Sequence, residues 1–131
     1  MELEHIGIAV KDLAEANKRY EVLFNAPPYK IEKVENEGVT TSFFKVGRTK
    51  IELLEANKPD SPIAKFIEKR GEGIHHLAYA VNDINLEIKR MVDEGFELIG
   101  NGPQKGADNK LVCFFHPKTM NGVLTELCQN Q

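Results

Sequence analysis

A half-domain pattern occurs twice along this chain. Residues 5–13 read HIGIAVKDL, and residues 76–84 repeat that pattern as HLAYAVNDI. Each copy later reaches an apolar segment that contains one glutamate, Glu52 in the first copy and Glu126 in the second. Because a pattern written twice indicates one structural unit used twice, we expect two similar modules that pack together.

The periodicity of the first copy predicts the order βαβββ. Apolar and β-branched residues at 3–10 predict a strand, and Asp12 with Glu15 three positions later is typical of a helix N-terminus. Asn25 and the two prolines after it end that helix, because proline cannot continue one. Three further strands are expected at about 30–36, 39–46 and 49–55.

The second copy repeats this order after a linker helix at residues 57–71. Ser61 is the expected N-cap of that helix, and Pro62 suits its first turn. Gly95 is expected to end the next helix in the left-handed conformation. The elements expected in this copy are a strand at 74–81, a helix from Asp83 to Glu94, and strands near 96–100, 109–115 and 123–128. Residues 100–109 hold so many turn residues that we expect an irregular, functional loop.

These patterns predict a single α+β domain over residues 1–131. Repeat one covers about 3–56 and repeat two about 72–129, so the domain consists of two paired βαβββ modules. Each module is too small to enclose a cavity alone. We therefore expect the modules to form a curved sheet around a shared, metal-binding cleft.

Composition favours a compact globular protein and excludes several partners. The hydrophobic fraction of 41% and charged fraction of 28% are ordinary globular values, and the net charge of −3 offers no basic face for nucleic acid. We find no run of 18 apolar residues and no leader pattern, so we expect no membrane contact and no export. Cys113 and Cys128 are expected to be buried free thiols in a reducing, cytoplasmic setting.

Two histidines and two glutamates are the candidate functional residues. The residues that follow His5 and His76 on the same strand face are glycine or alanine, which leaves space in front of the imidazole. Burying a carboxylate without a partner costs several kcal/mol. Their matching positions in the two repeats predict a divalent metal site with the ligands His5, Glu52, His76 and Glu126. Such mixed nitrogen and oxygen ligands suit cobalt, manganese, nickel, iron or zinc.

The other two histidines are expected to have structural roles. His75 faces the opposite side of its strand from His76, which favours a capping or surface role. His116 stands at the junction between a strand and a turn, and a structural role is the simpler interpretation there.

Five segments, which together run through nearly the whole chain, resemble the methylmalonyl-CoA epimerase family. That family belongs to the vicinal oxygen chelate superfamily, together with glyoxalase I and the extradiol dioxygenases. The segments are LEHIGIAV at 3–10, TKIELLE at 49–55, SPIAKFI at 61–67, GEGIHHLA at 71–78 and GVLTELCQ at 122–129. The resemblance implies the glyoxalase fold and an isomerase that interconverts (2R)- and (2S)-methylmalonyl-CoA.

The resemblance also implies which residues hold the metal. The two metal histidines of the family fall on His5 and His76, its C-terminal glutamate ligand falls on Glu126, and its remaining ligand falls on Glu52. It further implies cobalt as the favoured ion, with manganese, nickel or zinc as alternatives. Methylmalonyl-CoA as substrate and a homodimer are implied as well.

The implied reaction needs two proton-transfer groups, one on each side of the α-carbon. A metal at the thioester oxygen would stabilise the enolate that forms when the α-proton leaves. Some family members have a glutamate three residues after the equivalent of Gly38, and this chain has Thr41 there. We therefore expect Glu126 and Glu52 to be the catalytic pair.

Some charged residues are secondary candidates. Glu35 and Glu37 share the expected strand face of Thr41 and are weaker candidates for the second base. Three lysines in or beside the second-half loops are placed to contact coenzyme A phosphates, although an ordinary solvated role suits each equally well. They are Lys105, Lys110 and Lys118.

Two other functions remain open at this point. A lactoylglutathione lyase of the glyoxalase I type has the same four-ligand arrangement and an enediolate intermediate. A metal-free small-molecule binding module of the superfamily is the third alternative, but such modules usually lack the ligands that are kept here.

Overall fold

The computed structural model describes all 131 residues, and each repeat has the predicted βαβββ order. The chain contains eight strands and three α-helices, with two 3₁₀ turns at Glu35–Glu37 and Pro117–Thr119. In chain order, the elements are β1 Glu2–Ala9, α1 Leu13–Phe24, β2 Lys30–Val34, β3 Val39–Val46, β4 Thr49–Ala56, α2 Pro62–Arg70, β5 Gly73–Ala80, α3 Ile84–Asp93, β6 Leu98–Lys105, β7 Lys110–Phe115 and β8 Thr125–Asn130.

The chain divides into two units that have the same internal topology. The first unit comprises residues 5–75, and the second comprises residues 76–131 together with residues 1–4. In the first unit the strand order is β2, β3, β4, β1, with β1 parallel to β4 and the other pairs antiparallel. In the second unit the order is β6, β7, β8, β5, with β5 parallel to β8. The first and last strands of each βαβββ module are therefore neighbours.

Helix α1 covers one face of the first unit's sheet. Leu13 and Ala16 are its buried residues, and they pack with Phe44 of β3 and Leu53 of β4. The rings of Tyr20, Phe24 and Phe44 add a cluster with centroids 5.4 to 6.3 Å apart. Each buried side chain of this size contributes roughly 1.5 to 3 kcal/mol. Helix α1 leaves the opposite face of this sheet uncovered.

Helix α3 covers the second unit's sheet in the same way. Ile84 is fully buried against Phe115 of β7 and Leu127 of β8. Ile88 and Met91 follow Ile84 at helical spacing and pack on the same cluster.

Both α1 and α3 are tied to the last strand of their module by equivalent hydrogen bonds. The first residue of each helix donates its N–H to a side chain that lies three positions after Glu52 or Glu126. Leu13 donates to Glu55 Oε1 at 2.6 Å, and Ile84 donates to Gln129 Oε1 at 2.7 Å. Since the first helical N–H groups have no partner within the helix, these bonds satisfy them and fix where each helix begins.

The predicted helix starts are confirmed by the N-cap geometry. Asp12 accepts a hydrogen bond from the Glu15 N–H, Asp83 accepts one from Leu86, and Ser61 accepts one from Ala64, each at 3.1 Å. None of the helices is long and apolar enough to cross a membrane.

The prediction of an irregular loop at residues 100–109 is wrong for most of that segment. Strand β6 continues to Lys105 and pairs with β7, where Ile99 lies opposite Phe114 and Gln104 lies opposite Val112. Four residues of β6 therefore correspond to one of β7, and this bulge accommodates the positive φ of Gly100 and the missing N–H of Pro103. The turn residues make a bulge inside a strand, and the actual loop is reduced to residues 106–109.

The two cysteines are free and buried, as predicted. Burial raises the pKa of the Cys113 thiol to about 12, and the charge of Glu126 adds to that rise. We therefore expect neither thiol of the native protein to react with DTNB within minutes, whereas both should react at once in denaturant. Rapid colour development from the native protein would contradict this packing.

Candidate metal centre

In the first unit, His5 and Glu52 form a buried pair. The Nδ1 atom of His5 lies 3.1 Å from Oε2 of Glu52, and both side chains are about 5% exposed. The parallel pairing of β1 with β4 places Gly7 opposite Glu52, so the histidine two residues earlier projects from the same face. Gly7 has no side chain to fill the space between them.

The second unit contains the same pair at the same register. The Nε2 atom of His76 lies 3.2 Å from Oε1 of Glu126, and both side chains are 6% exposed. Here Ala78 lies opposite Glu126 on the parallel neighbours β5 and β8. The structure thus brings together each predicted histidine with the predicted glutamate of its own repeat.

These donor atoms fit a divalent cation. Two adjacent ligands that bind one ion at about 2.1 Å stand roughly 3 Å apart, which is also the separation of a hydrogen bond. The observed distances of 3.1 and 3.2 Å agree with either arrangement. A carboxylate and an imidazole are both ligands for divalent transition metals, and buried carboxylates need such a partner.

Each glutamate also has a phenylalanine beside it, which the sequence reasoning missed. Phe43 of β3 lies opposite Glu52, and Phe114 of β7 lies opposite Glu126. The His76 ring meets the Phe114 ring edge to face, with centroids 5.8 Å apart. The signal was present in the sequence, because the pair Phe43-Phe44 returns as Phe114-Phe115 at the same interval as the two histidines.

The position that carries a glutamate in some family members is buried here. Thr41 is 1% exposed, and its hydroxyl makes no hydrogen bond. It lies opposite Leu54 of β4 and Glu32 of β2. Our assignment of Glu35 and Glu37 to the same strand face is wrong, because these residues form a 3₁₀ turn after β2 ends.

His116 has a structural role, as expected, whereas the half-buried His75 packs against a helix rather than capping one or lying on the surface. His75 packs its ring against Phe66 of α2, with centroids 4.9 Å apart. His116 accepts a hydrogen bond from the Lys118 N–H at 3.0 Å and so caps the 3₁₀ turn that follows it.

Two of the three lysines proposed for phosphate contact are engaged elsewhere. Lys110 is buried, donates to Asn130 at 2.6 Å and lies 3.8 Å from Glu4. Lys118 forms a 2.8 Å ion pair with Glu97. A buried ammonium that already has amide and carboxylate partners is poorly placed to bind a phosphate, so the expectation for Lys110 is wrong.

Comparison with known proteins places this chain in a family. Residues 4–114 match the Glyoxalase/Bleomycin resistance protein/Dioxygenase superfamily. An ethylmalonyl-CoA/methylmalonyl-CoA epimerase of Cereibacter sphaeroides is 42% identical over 129 residues, which cover 97% of this chain and 96% of that protein. The chain belongs to the methylmalonyl-CoA epimerase family. The glyoxalase fold implied by the sequence is thereby confirmed.

Two further relatives support the assignment over nearly the full chain. A mitochondrial methylmalonyl-CoA epimerase of Dictyostelium discoideum is 40% identical over 126 residues, covering 95% of this chain and 76% of that protein. The structure of a Streptomyces coelicolor methylmalonyl-CoA epimerase in complex with 2-nitronate-propionyl-CoA superimposes with a TM-score of 0.95 at 31% identity. That match covers 99% of this chain and 97% of the other.

The two phenylalanines should differ in their contribution to stability. Phe43 is fully buried, so we expect Phe43→Ala to lower the free energy of unfolding by about 3 to 5 kcal/mol. Phe114 is only partly buried, and Phe114→Ala should cost less. Urea denaturation followed by circular dichroism measures both, with Leu23→Ala on the exposed side of α1 as a control within about 0.5 kcal/mol of wild type. Equal effects of all three changes would contradict the packing.

Proposed function

We propose that the protein is a metal-dependent epimerase that interconverts (2R)- and (2S)-methylmalonyl-CoA. The observation that carries this proposal is the buried histidine–glutamate pair, which occurs at the same register in both units. It occurs in a chain 42% identical to an ethylmalonyl-CoA/methylmalonyl-CoA epimerase. Since both pairs keep all four ligand positions of the family, a metal-free binding module is the less favoured alternative.

His5, Glu52, His76 and Glu126 are the proposed ligands of one divalent ion. The donor set of two imidazoles and two carboxylates suits cobalt, the ion that the resemblance favours, as well as manganese, nickel or zinc. When bound, such an ion supplies a Lewis acid for the thioester oxygen.

The proton transfers are assigned to Glu126 and Glu52. In one direction, the carboxylate of one glutamate accepts the α-proton, and the electron pair of the C–H bond becomes that of an enolate. The other glutamate, protonated beforehand, donates its proton to the opposite face of the same carbon. The product then has inverted configuration, and the two glutamates have exchanged protonation states.

The surroundings of both glutamates favour this chemistry. Each carboxylate is about 6% exposed and has a phenylalanine as its cross-strand neighbour. Because these apolar rings limit the access of water, the charges that develop near the substrate are weakly screened.

Activity and metal content test this proposal together. We expect the purified protein to epimerise methylmalonyl-CoA, to lose activity after dialysis against EDTA, and to regain it with cobalt(II). Activity is measured by a coupled assay specific for one epimer, and the metal is measured by mass spectrometry. A protein that isomerises the hemithioacetal of glutathione and methylglyoxal, but leaves methylmalonyl-CoA unchanged, would instead be of the glyoxalase I type.

The substitution Glu52→Gln separates the ligand role of this residue from its proton-transfer role. Glutamine keeps an oxygen ligand but cannot accept a proton at neutral pH, so we expect metal to be retained and epimerisation to fall by about a hundredfold or more. Epimerisation is followed by the coupled assay, and Glu35→Gln is the matched control on the exposed 3₁₀ turn. Epimerisation near the wild-type rate in metal-loaded Glu52→Gln would remove Glu52 from the catalytic pair.

The homodimer, the cytoplasmic location and the absence of nucleic acid partners stay predictions. They rest on family resemblance and composition, and the proposed reaction depends on none of them.

A further inference from the structure

Asparagine is followed by glycine at two places, and both lie in the second unit. The pairs are Asn101-Gly102 in β6 and Asn121-Gly122 in the turn before β8. Asparagine before glycine is chemically labile, because glycine has no Cβ beside its backbone nitrogen and lets that nitrogen approach the asparagine side chain. Each pair is therefore a candidate site of spontaneous modification.

Access to solvent does not distinguish the two sites. Asn101 and Asn121 are both exposed. A Cβ built on Gly102 or on Gly122 would meet no other atom within 4 Å, so neither glycine is crowded. Any difference in reactivity must come from how firmly the backbone is held.

The backbone around Asn121 is held by a closed turn. The Gly122 N–H donates to the Pro117 carbonyl at 2.8 Å, and the same carbonyl accepts a bond of 2.9 Å from the Met120 N–H. The Val123 N–H donates to the Met120 carbonyl at 3.1 Å. Because the Gly122 nitrogen already directs its proton towards Pro117, this turn must open before that nitrogen can react.

The backbone around Asn101 lies in the bulge of β6. The register gives cross-strand partners on β7 to Ile99 and Gln104, but to none of the four residues between them. One of those four is Pro103, which has no N–H to donate. Gly102 has a φ of 155° or less from the positive region, at 151°, which suits glycine alone. This segment is therefore held by fewer bonds than the turn at Asn121.

We propose that Asn101 is a site of spontaneous deamidation in the native protein. The Gly102 nitrogen loses its proton to a base in solution and attacks Cγ of Asn101, which forms the C–N bond of a five-membered succinimide. The side-chain nitrogen takes up a proton and leaves as ammonia. Water then opens the ring at either carbonyl and leaves aspartate, or isoaspartate with the main chain running through the side-chain carboxyl group. The inference does not depend on the proposed function.

The modification adds a negative charge at the edge of the sheet that carries Glu126. Ile99, two residues before Asn101, lies opposite Phe114, and Phe114 lies opposite Glu126. The new carboxylate therefore forms in the bulge of β6, two strands from a proposed metal ligand. It also makes the net charge of −3 one unit more negative, so the product can be separated by anion exchange.

Peptide mapping tests the proposal, because trypsin places the two sites on different peptides, 91–105 and 119–131. During storage of the native protein at mildly alkaline pH, peptide 91–105 should gain about 1 Da. Its gain should be about tenfold faster than that of peptide 119–131, since one hydrogen bond that must open contributes a factor of up to about ten. Tandem mass spectrometry should locate the change at Asn101. An isoaspartate methyltransferase should transfer labelled methyl groups to the aged protein.

Denatured protein and two matched variants provide the controls. In guanidinium chloride both peptides should deamidate at similar rates, because the turn at Asn121 is lost. Asn101→Gln should remove most of the acidic product formed by native protein, whereas Asn121→Gln should form it as wild type does. The proposal is overturned if native Asn101 reacts no faster than Asn121, or if it stays intact while both react in denaturant. These rates are measured on wild type and require neither variant to fold.

Discussion

The burial of two carboxylates is the constraint on which the rest of this structure depends. The side chains of Glu52 and Glu126 are each 6% exposed, and an isolated buried carboxylate would cost several kcal/mol. Each has a histidine nitrogen within 3.2 Å, supplied by the parallel neighbouring strand. The first and last strands of each module are parallel neighbours, and their register places these two side chains on one face in both units. The site therefore depends on the strand order as much as on the residues.

The two faces of each sheet are kept distinct by the repeated phenylalanine pair. Phe43 and Phe114 lie beside the glutamates, whereas Phe44 and Phe115 pack beneath α1 and α3. A register slip of one residue would exchange these faces and would direct the glutamate toward the helix. The aromatic pairs thus stabilise both the core and the register that aligns histidine with glutamate.

Local signals predicted much of the architecture, and they failed where a longer-range interaction decided the outcome. The N-caps at Asp12, Ser61 and Asp83 require only side chains three residues from the N–H groups that they bind, so the sequence located all three helix starts. Strand β6 was misjudged because its glycines and proline are typical of a loop, and only pairing with β7 keeps them in a bulged strand. Lys110, the first residue of β7, was misjudged because its carboxylate partner, Glu4, is more than a hundred residues away in the chain.

The sequence by itself determined the repeat, the order of elements and the four candidate ligands, because alternation along a strand and periodicity along a helix are properties of short segments. Tertiary structure decided which histidine meets which glutamate, which phenylalanine stands beside each carboxylate, and that Thr41 is buried without a hydrogen bond. These facts depend on strand pairing, which brings together residues that are far apart in the chain. No local sequence pattern indicates which distant residues will pair.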